Sequence, residues 1–270
     1  MSDCLSLIPL FSSSHGNSTL VNCNGSYILI DCGITCKKTG DALLSLGIAP
    51  DDIEAIFVTH GHTDHIKGID VFVRKYHTPV YATANTHREI QKKCTKSHPA
   101  SEDIVIEENE IVEMPFAAEV MAFPTPHDIG GSVCYKISNL ITGKSVGVFT
   151  DLGHLTPGMK NFARGVDAIL VESNYDPDML TYGDYPYVTQ QRIRGDGGHL
   201  SNLESAEFIE FLIDSGTKNF IIGHLSPNNN TEKLARDTIE DYLALRGMKE
   251  GVDYNLKIAD KFQPTEGYTV

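Results

Sequence analysis

Apolar and polar residues alternate in short blocks along the first third of the chain, a pattern typical of strands joined by turns. Two blocks, Thr19–Asn22 and Tyr27–Asp31, flank Asn24-Gly25, a residue pair that favours a tight hairpin turn. A continuous apolar run predicts a buried strand at Ala55–Thr59. The other elements predicted in this third are strands at Leu5–Leu10 and Val80–Ala82, and helices at Asp41–Leu46, from His65 to about Tyr76, and at Thr86–Lys93.

The rest of the chain mixes strand and helix patterns. Residues 104–149 are rich in Val, Ile, Phe and Tyr in short pieces, which predicts several antiparallel strands. Because apolar helices are interspersed among the strands, we expect two sheets sandwiched between helices, an α/β (α+β) fold in one domain spanning residues 1–270. The remaining predicted elements are buried strands at Val166–Glu172 and Asn219–Gly223, and helices at Asn202–Ser215 and Thr231–Arg246, capped by Asn202 and Thr231.

Composition and charge limit the classes of function. The chain has 270 residues and 41% hydrophobic content, no stretch of roughly 20 apolar residues that would cross a membrane, and no basic amino-terminal signal. The six cysteines are scattered, so we expect reduced thiols in a cytoplasmic protein, with Cys32 and Cys36 as buried side chains rather than metal ligands. The net charge of −14 argues against non-specific adhesion to nucleic acid. It does not exclude a nucleic-acid substrate, because bound divalent cations add positive charge where a phosphate would lie.

The strongest chemical signal is the run Thr59-His60-Gly61-His62-Thr63-Asp64-His65, directly after a predicted buried strand. It places four possible metal ligands within six positions. A loop at a strand end turns its side chains in different directions, so these residues are able to serve two neighbouring ions. Imidazole and carboxylate groups suit zinc and similar first-row metals. The run therefore predicts a metal site.

The spacing His-x-His-x-Asp-His resembles the signature of the metallo-β-lactamase superfamily. The other motifs of that superfamily have matches in the same order, each at the end of a predicted strand: Asp31, His127, Asp151 and His224. The resemblance implies a four-layer αββα sandwich with two metal ions in one site. It also favours hydrolysis over redox chemistry, because residue 62 is histidine, as in the hydrolases, whereas the similar flavodiiron branch has a carboxylate there.

The resemblance implies a role for each of these residues. Asp151 would bridge both ions, and Asp31 would orient a ligand by hydrogen bonding without binding metal itself. Two ions about 3.5–4 Å apart polarise the scissile group and make a bridging hydroxide from a shared water. Zinc, manganese and iron all remain open as the metal. The other implied ligands are His60, His62 and His127 for the first ion, and Asp64, His65 and His224 for the second.

Two further segments point towards phosphodiesters. Glu172, followed by Ser-Asn-Tyr, and His199, followed by Leu-Ser-Asn, resemble paired segments of the tRNA 3′-processing enzymes. By that resemblance Glu172 has an orienting role, while His199 protonates the leaving oxygen or binds the phosphate. His199 also lies just before the helix predicted from Asn202, where free backbone N–H groups favour an anion. The candidate catalytic residues are therefore His199, Glu172 and Asp64.

Over almost its whole length the sequence is similar to the YycJ/WalJ (VicX) family of bacterial proteins, regarded as 5′-to-3′ DNA exonucleases. Two positions depart from the expected pattern: His15 replaces a small residue in a loop expected to contact substrate, and Ser173 replaces alanine. The resemblance implies DNA more than RNA as substrate. Only 73 positions separate Asp151 from His224, too few for the capping domain of RNA-processing nucleases. The segments that carry the similarity are Ser12–Ser18, Thr150–His154, Glu172–Asp176, Gly198–Asn202 and His224–Asn230.

Further residues are candidates for contacts with a nucleic acid. Ser226 and Asn228 follow the last histidine motif. Tyr182, Tyr185 and Tyr187 suit base stacking, although packing within the protein explains them equally well. Six basic residues could line a track for phosphate groups, although ordinary surface charge explains each of them as well. They are Arg192, Arg194, Arg88, Lys92, Lys93 and Lys96.

Three functions remain open at this point. The first is a phosphodiesterase, above all a DNA exonuclease. The second is a small-molecule hydrolase acting on a thioester, lactone or cyclic phosphodiester, which the acidic composition favours. The third is a non-catalytic protein of the same fold, against which the complete set of metal ligands argues. The sequence indicates no oligomeric state.

Overall fold

Two seven-stranded sheets form the centre of the computed structural model, which describes residues 4–94 and 102–270. The first sheet contains β1 (Leu5–Ser13), β2 (Gly16–Cys23), β3 (Ser26–Ile30), β4 (Ile53–Phe57), β5 (Val80–Ala82), β6 (Asp103–Val105) and β14 (Tyr268–Thr269). Its order is β14-β1-β2-β3-β4-β5-β6, antiparallel up to β3 and parallel from β3 to β6.

The second sheet has the same mixed character. It contains β7 (Ile111–Met114), β8 (Ala118–Pro124), β9 (Val133–Asn139), β10 (Ser145–Phe149), β11 (Ala168–Glu172), β12 (Asn219–Gly223) and β13 (Asn255–Ile258). Its order is β13-β12-β11-β10-β9-β8-β7, parallel from β10 to β13 and antiparallel from β7 to β10.

Helices connect the strands, and most of them cover the outer faces of the two sheets. They are α1 (Cys36–Ser45), α2 (Thr63–Ile66), α3 (Ile69–Tyr76), α4 (Ala84–Lys93), α5 (Pro157–Ala163), α6 (Pro177–Tyr182), α7 (Tyr187–Arg194), α8 (Asn202–Asp214) and α9 (Glu232–Ala244). A short 3₁₀ helix at Pro50–Asp52 precedes β4.

Three buried apolar layers show how these elements stack. Side chains of both sheets meet between them, where the rings of Phe57 and Tyr135 pack edge to face with centroids 5.6 Å apart. Phe72 of α3 belongs to a second layer outside the first sheet, and Phe208 of α8 to a third layer outside the second sheet. The predicted four-layer αββα sandwich is confirmed.

The helix predicted from His65 to Tyr76 is instead two helices, α2 and α3. Gly68 separates them, and its N–H donates to the carbonyl of Cys32 over 2.8 Å. A Cβ atom at Gly68 would lie 2.2 Å from the carbonyl oxygen of Ile34. Glycine is therefore required for this close approach to the loop after β3, and the approach interrupts the helix.

Other predictions need smaller corrections. Helix α8 is capped by Ser201, which accepts from Glu204 N, because the side chain of Asn202 is buried against Ser173. Thr231 caps α9 as expected. Strand β6 pairs in parallel with β5 in the first sheet, whereas antiparallel pairing was expected from residue 104 onwards. Helices α5 to α7 were not predicted, because they are short and lie among Gly and Pro residues.

Candidate metal centre and active site

The polar residues singled out in the sequence meet at one edge of the sandwich, where strands of both sheets end. Asp31 follows β3, and the run His60–His65 follows β4. From the second sheet, His127 follows β8, Asp151 follows β10 and His224 follows β12. Because these strands run in the same direction within each sheet, their carboxyl ends bring the side chains together.

Three of these residues have an unusual backbone conformation. The φ angles of Asp31, Asp151 and His224 are 63°, 59° and 53°. Residues with a Cβ atom rarely adopt this left-handed region, which costs of order 1 kcal/mol or more and persists only where surrounding contacts impose it. All three lie within two positions of a strand end, so the strain accompanies the turn that directs their side chains into the site.

A first group of side chains consists of three histidines. His60 Nε2 lies 3.1 Å from His62 Nδ1, and that atom lies 3.2 Å from His127 Nε2. Nitrogens that bind one tetrahedral zinc ion at about 2.0–2.1 Å are separated by roughly 3.3–3.4 Å. The three nitrogens are therefore spaced as ligands of a single ion.

A second group lies beside the first and contains Asp64, His65 and His224, whose ligating atoms are all within 4.8 Å of one another. Asp64 Oδ2 is 3.5 Å from His65 Nε2. The mixture of one carboxylate and two imidazoles suits the same first-row metals as the first group.

Asp151 lies between the two groups. Its Oδ1 is 3.7 Å from His127 Nε2 and 3.5 Å from His224 Nε2, while its Oδ2 is 3.2 Å from His65 Nε2. Oδ2 is buried and has no hydrogen-bond donor among the residues that the structure describes. A buried carboxylate oxygen without a donor is costly, and a cation in the site would compensate it. The residues present therefore fit divalent metal ions.

In each of the five imidazoles, the ring nitrogen that faces away from the centre lies beside an oxygen atom. Such a partner places the proton on that nitrogen and leaves the other one free to bind metal. The partners are Thr59 Oγ1 for His60 (3.1 Å), Asp128 Oδ1 for His62 (3.3 Å), Asp31 Oδ2 for His65 (2.7 Å), the Gly198 carbonyl for His127 (3.2 Å) and Asn17 Oδ1 for His224 (3.2 Å).

Asp31 contacts a predicted ligand from behind. It is buried, and it accepts hydrogen bonds from Thr59 N and Thr59 Oγ1, both over 2.8 Å, and from His65 Nδ1 over 2.7 Å. Burial raises the pKa of Asp31, while the hydrogen bonds and the charge of His65 oppose the rise. This arrangement agrees with the orienting role predicted for Asp31.

The electrostatics of the centre suit a cation. Burial, assisted by neighbouring imidazoles, lowers the pKa of His60 well below its usual value, and burial also lowers the pKa of His62 and His224. Burial alone would raise the pKa of Asp151, but the surrounding histidines hold it well below its usual value. For His65, burial lowers the pKa, yet the nearby carboxylates outweigh burial and raise it to about 10. Any proton on His65 Nε2 must leave before a metal ion binds there.

Asn17 is part of the centre although no role was predicted for it from the sequence. Its Nδ2 lies 3.0 Å from His65 Nε2 and 3.3 Å from Asp64 Oδ2, and its Oδ1 lies 3.2 Å from His224 Nδ1. Asn17 thus contacts every member of the second group. The only signal in the sequence was its position in the Ser12–Ser18 segment that resembles the YycJ/WalJ family.

Glu172 and His199 form a pair next to the metal groups. Glu172 is completely buried at the end of β11 and accepts hydrogen bonds from the N–H groups of Asp151, Leu152 and Leu200 over 3.1, 2.7 and 3.0 Å. Its Oε2 lies 3.1 Å from His199 Nδ1. Burial would lower the pKa of His199, but the Glu172 carboxylate raises it to about 9. The pair leaves Nε2 of His199 available to a substrate.

A cavity of about 390 Å³ opens onto both metal groups and His199. One side is formed by Tyr185 together with Thr189, Arg192 and Ile193 of α7, and Lys93 lies on the wall as well. The metal groups thus form the floor of a space that a substrate is able to enter.

The residues predicted to bind substrate differ in whether they line the cavity. Arg192 lines the cavity, whereas Arg194 donates to the Pro177 carbonyl of α6 and does not line it. Ser226 is buried, and its hydroxyl accepts from Asn229 N, so its predicted contact with substrate is not supported by its position. Asn228 is not among the lining residues, but it donates to the hydroxyl of Tyr185, which is. Lys96 lies outside the described residues.

Comparison with known proteins identifies the family. The sequence model of the metallo-β-lactamase superfamily matches residues 13–142. Exodeoxyribonuclease YycJ of Bacillus anthracis is 31% identical over 95% of this chain and 96% of its own length. Exodeoxyribonuclease WalJ of Streptococcus pneumoniae is 32% identical over 92% of this chain and 91% of its own. This chain belongs to the metallo-β-lactamase superfamily. Within the superfamily it is YycJ/WalJ-like, as the sequence resemblance implied.

Membership of the metallo-β-lactamase superfamily agrees with the fold and with the chemistry of the site. The metallo-β-lactamase fold protein YhfI of Bacillus subtilis superimposes with a TM-score of 0.71 at 16% identity, covering 98% of this chain and 99% of its own, which supports the fold alone. With its cluster of histidines and aspartates, the chain is a metal-dependent hydrolase. Among the described residues, no helix is both long and apolar enough to cross a membrane.

Proposed function

We propose that this chain is a two-metal phosphodiesterase that removes nucleotides from DNA in the 5′-to-3′ direction. The observation that carries the proposal is the buried carboxylate of Asp151, whose Oδ2 has no hydrogen-bond donor in the described part of the chain and which lies between two groups of metal-binding side chains. One tetrahedral ion needs four ligands, fewer than converge here.

The ligand assignment follows the two groups. Zinc, manganese and iron are all compatible with imidazole and carboxylate ligands. Once bound, the two ions would polarise the scissile phosphate and lower the pKa of a water molecule that attacks it. The proposed ligands are His60, His62 and His127 for the first ion, Asp64, His65 and His224 for the second, with Asp151 shared between them.

His199 is proposed to deliver the proton to the leaving oxygen. Its Nδ1 is bound to Glu172, which fixes the ring and directs Nε2 to the substrate. Glu172 is itself fixed by three backbone N–H groups, so it orients His199 without entering the cavity. Asp64 lines the cavity floor as a metal ligand and is available to the attacking water. A proton donor outside the metal ligands suits a phosphodiester, whose leaving oxygen needs a proton.

The names of the full-length relatives support DNA as the substrate, since both are exodeoxyribonucleases. The net charge of −14 does not oppose this choice, because metal ions bound in the cavity would supply the positive charge where the scissile phosphate lies. Lys93 adds a cationic side chain to the wall.

The proposal is tested by the products that the metal-loaded protein forms. A 5′-phosphorylated DNA oligonucleotide, RNA of the same sequence and a panel of thioesters and lactones are incubated with wild-type protein and with the Asp151→Ala variant. We expect stepwise release of mononucleotides from the 5′ end of DNA by the wild type alone. Release from RNA only, or digestion from the 3′ end, would contradict the DNA specificity or the polarity.

A small-molecule hydrolase is the second candidate function. The small cavity, about 390 Å³, and the acidic composition favour it. Rapid turnover of a thioester, lactone or cyclic phosphodiester, together with no cleavage of DNA, would establish this function in place of the first.

A further inference from the structure

Asp128 lies behind His62, a member of the first metal group. Its Oδ1 is 3.3 Å from His62 Nε2, while His62 Nδ1 lies inside the group, 3.1 Å from His60 Nε2. A carboxylate beside one ring nitrogen retains the proton there and leaves the other nitrogen to the metal. Asp128 is not among the site residues predicted from the sequence, where it is only the neighbour of His127.

Arg192 of α7 holds the other oxygen of the same carboxylate. Its Nε and Nη2 both lie 2.5 Å from Asp128 Oδ2. The side chain of Arg192 is 65% exposed and that of Asp128 is 26% exposed. Salt screens an ion pair that is partly exposed, so raising the salt concentration is expected to weaken the hold of Arg192 on Asp128.

The residues after α7 contact the same loop. The Gly198 carbonyl lies 3.2 Å from His127 Nδ1, and a Cβ atom on Gly197 would come within 3.2 Å of Asp128 N. Two of the three histidines in the first group are therefore positioned by the segment 192–198.

The second metal group is supported differently. Its His65 is held by Asp31, which is buried and fixed by two hydrogen bonds from Thr59. Helix α7, in contrast, has no buried residue. The two halves of the centre thus differ in how firmly the carboxylate behind the histidine is held.

We propose that Asp128 is a positioning residue which, held by Arg192, sets the metal affinity of the His60–His62–His127 group. The proposal rests on the two-metal function and names the residues that control one of the two ions. It also means that Arg192 anchors the loop that carries His127 and Asp128, and that Arg192 is not free to bind a phosphate while it is paired with Asp128.

The test is a titration of the metal-free protein with zinc in the presence of a competing chromogenic chelator. A second titration uses Co²⁺, whose binding is followed by the visible absorption of the bound ion. We expect two binding steps in the wild type. Asp128→Asn should weaken one step by about 10–100-fold and leave the other unchanged. Arg192→Gln should weaken the same step by less. Raising the salt concentration should weaken that step in the wild type and have little effect on it in Asp128→Asn.

Two control variants separate the proposal from a general disturbance. Arg194 lies on the same helix as Arg192 but contacts α6 and not Asp128. In Arg194→Gln, both metal-binding steps should therefore keep their wild-type affinity. Asp31→Asn should weaken the other step, because it removes the partner of His65. Circular dichroism establishes that each variant is folded. If Asp128→Asn does not fold, Arg192→Gln carries the test, because the arginine is exposed and its removal leaves no buried gap.

The outcomes distinguish this proposal from the two-metal function. Two unchanged steps in Asp128→Asn, or equal weakening of both steps in the folded variant, would overturn the positioning role. A wild-type protein that binds one equivalent of metal would instead refute the two-metal function.

Discussion

The two sides of the active-site cavity are built in different ways. We use the term strand-end side for the residues that follow β3, β4, β10 and β12, and helix side for residues 185–199. On the strand-end side, the exposed fractions of Asp31, Asp151 and His224 are 2%, 2% and 1%. On the helix side, α7 has no buried residue, and Arg192 joins it to Asp128 in the loop after β8.

This difference suggests that the two sides of the cavity have different functions. Metal ligands must keep their spacing to within a few tenths of an ångström, and rigid strand ends supply that precision. A wall that contacts substrate benefits from a less rigid element, since loosely packed segments adjust to a ligand at low cost. Variants on the two sides should therefore fail in different ways.

The largest effect is expected on the strand-end side, from Asp151→Ala. The variant loses the proposed shared ligand, so the metal content after reconstitution should fall from two equivalents to one or fewer, and DNA cleavage should be lost. Elemental analysis measures the first and gel assays the second. Asp151→Asn is the matched control of similar size, and it should retain more metal than the alanine variant. A stable value of two metal equivalents in Asp151→Ala would show that metal binding on the strand-end side does not depend on Asp151.

A smaller effect is expected on the helix side, from His199→Ala. Proton transfer by a positioned side chain contributes about 10²–10⁴-fold to the rate, so turnover of DNA should fall by that factor while both metals stay bound. The matched control is His154→Ala, which removes another histidine, one that lies outside the cavity lining and contacts the Asp196 carbonyl at 2.9 Å. The control variant should cleave DNA at the wild-type rate.

The choice of substrate sharpens this prediction. A nitrophenyl phosphodiester has a leaving group that needs no proton, so the loss in His199→Ala should shrink with it if His199 is an acid. Simple binding of the phosphate by His199 would weaken both substrates alike. Normal DNA cleavage with full metal content would make His199 a bystander and remove the proposed proton donor from the mechanism.

The strand-end side was largely predictable because its signals are local in sequence. The run His60–His65 combines ligand side chains with the end of an apolar block, which can be recognised without knowing the fold. Asp31 and Asp151 are single residues at predicted strand ends, and only their match to the ordered motifs of the superfamily singled them out. Their arrangement in space then follows from the direction of the strands, which the sandwich architecture determines.

On the helix side, His199 was predicted, but the contacts that hold this side in place were not, for the opposite reason. Arg192 and Asp128 are 64 positions apart, and neither has a local pattern that marks it as part of a pair. Asn17 is likewise defined by contacts with Asp64, His65 and His224, distant residues whose positions only the folded chain reveals. Ser226 was chosen from a family motif as a contact for substrate, and its burial and its hydrogen bond from Asn229 N also depend on the folded chain.

The smallest effect at neutral pH is expected from the cysteines behind the strand-end side. Cys32 follows Asp31 directly and supports the site through its backbone, since its N–H donates to the His65 carbonyl over 3.0 Å. Its thiol contacts Thr39 Oγ1 at 3.6 Å and belongs to none of the metal-binding groups of the described residues. Replacing Cys32 and Cys36 together by serine should therefore leave two metal equivalents and near-normal activity. Loss of a metal ion in this variant would reveal a thiolate ligand.

The same double variant should differ from the wild type at alkaline pH. Burial raises the pKa of Cys32 to about 12, so the folded state keeps a proton that the unfolded state loses near its usual value. The stability contributed by this proton is fully present below about pH 8.5 and declines as the pH rises towards the folded-state pKa, by about 1.4 kcal/mol per pH unit for one thiol. Urea unfolding between pH 7 and pH 10.5 should show a steeper loss of stability in the wild type than in the serine variant. Equal slopes would mean that the thiol ionises as easily in the folded protein as in the unfolded chain, and that the layer behind the strand-end side admits water.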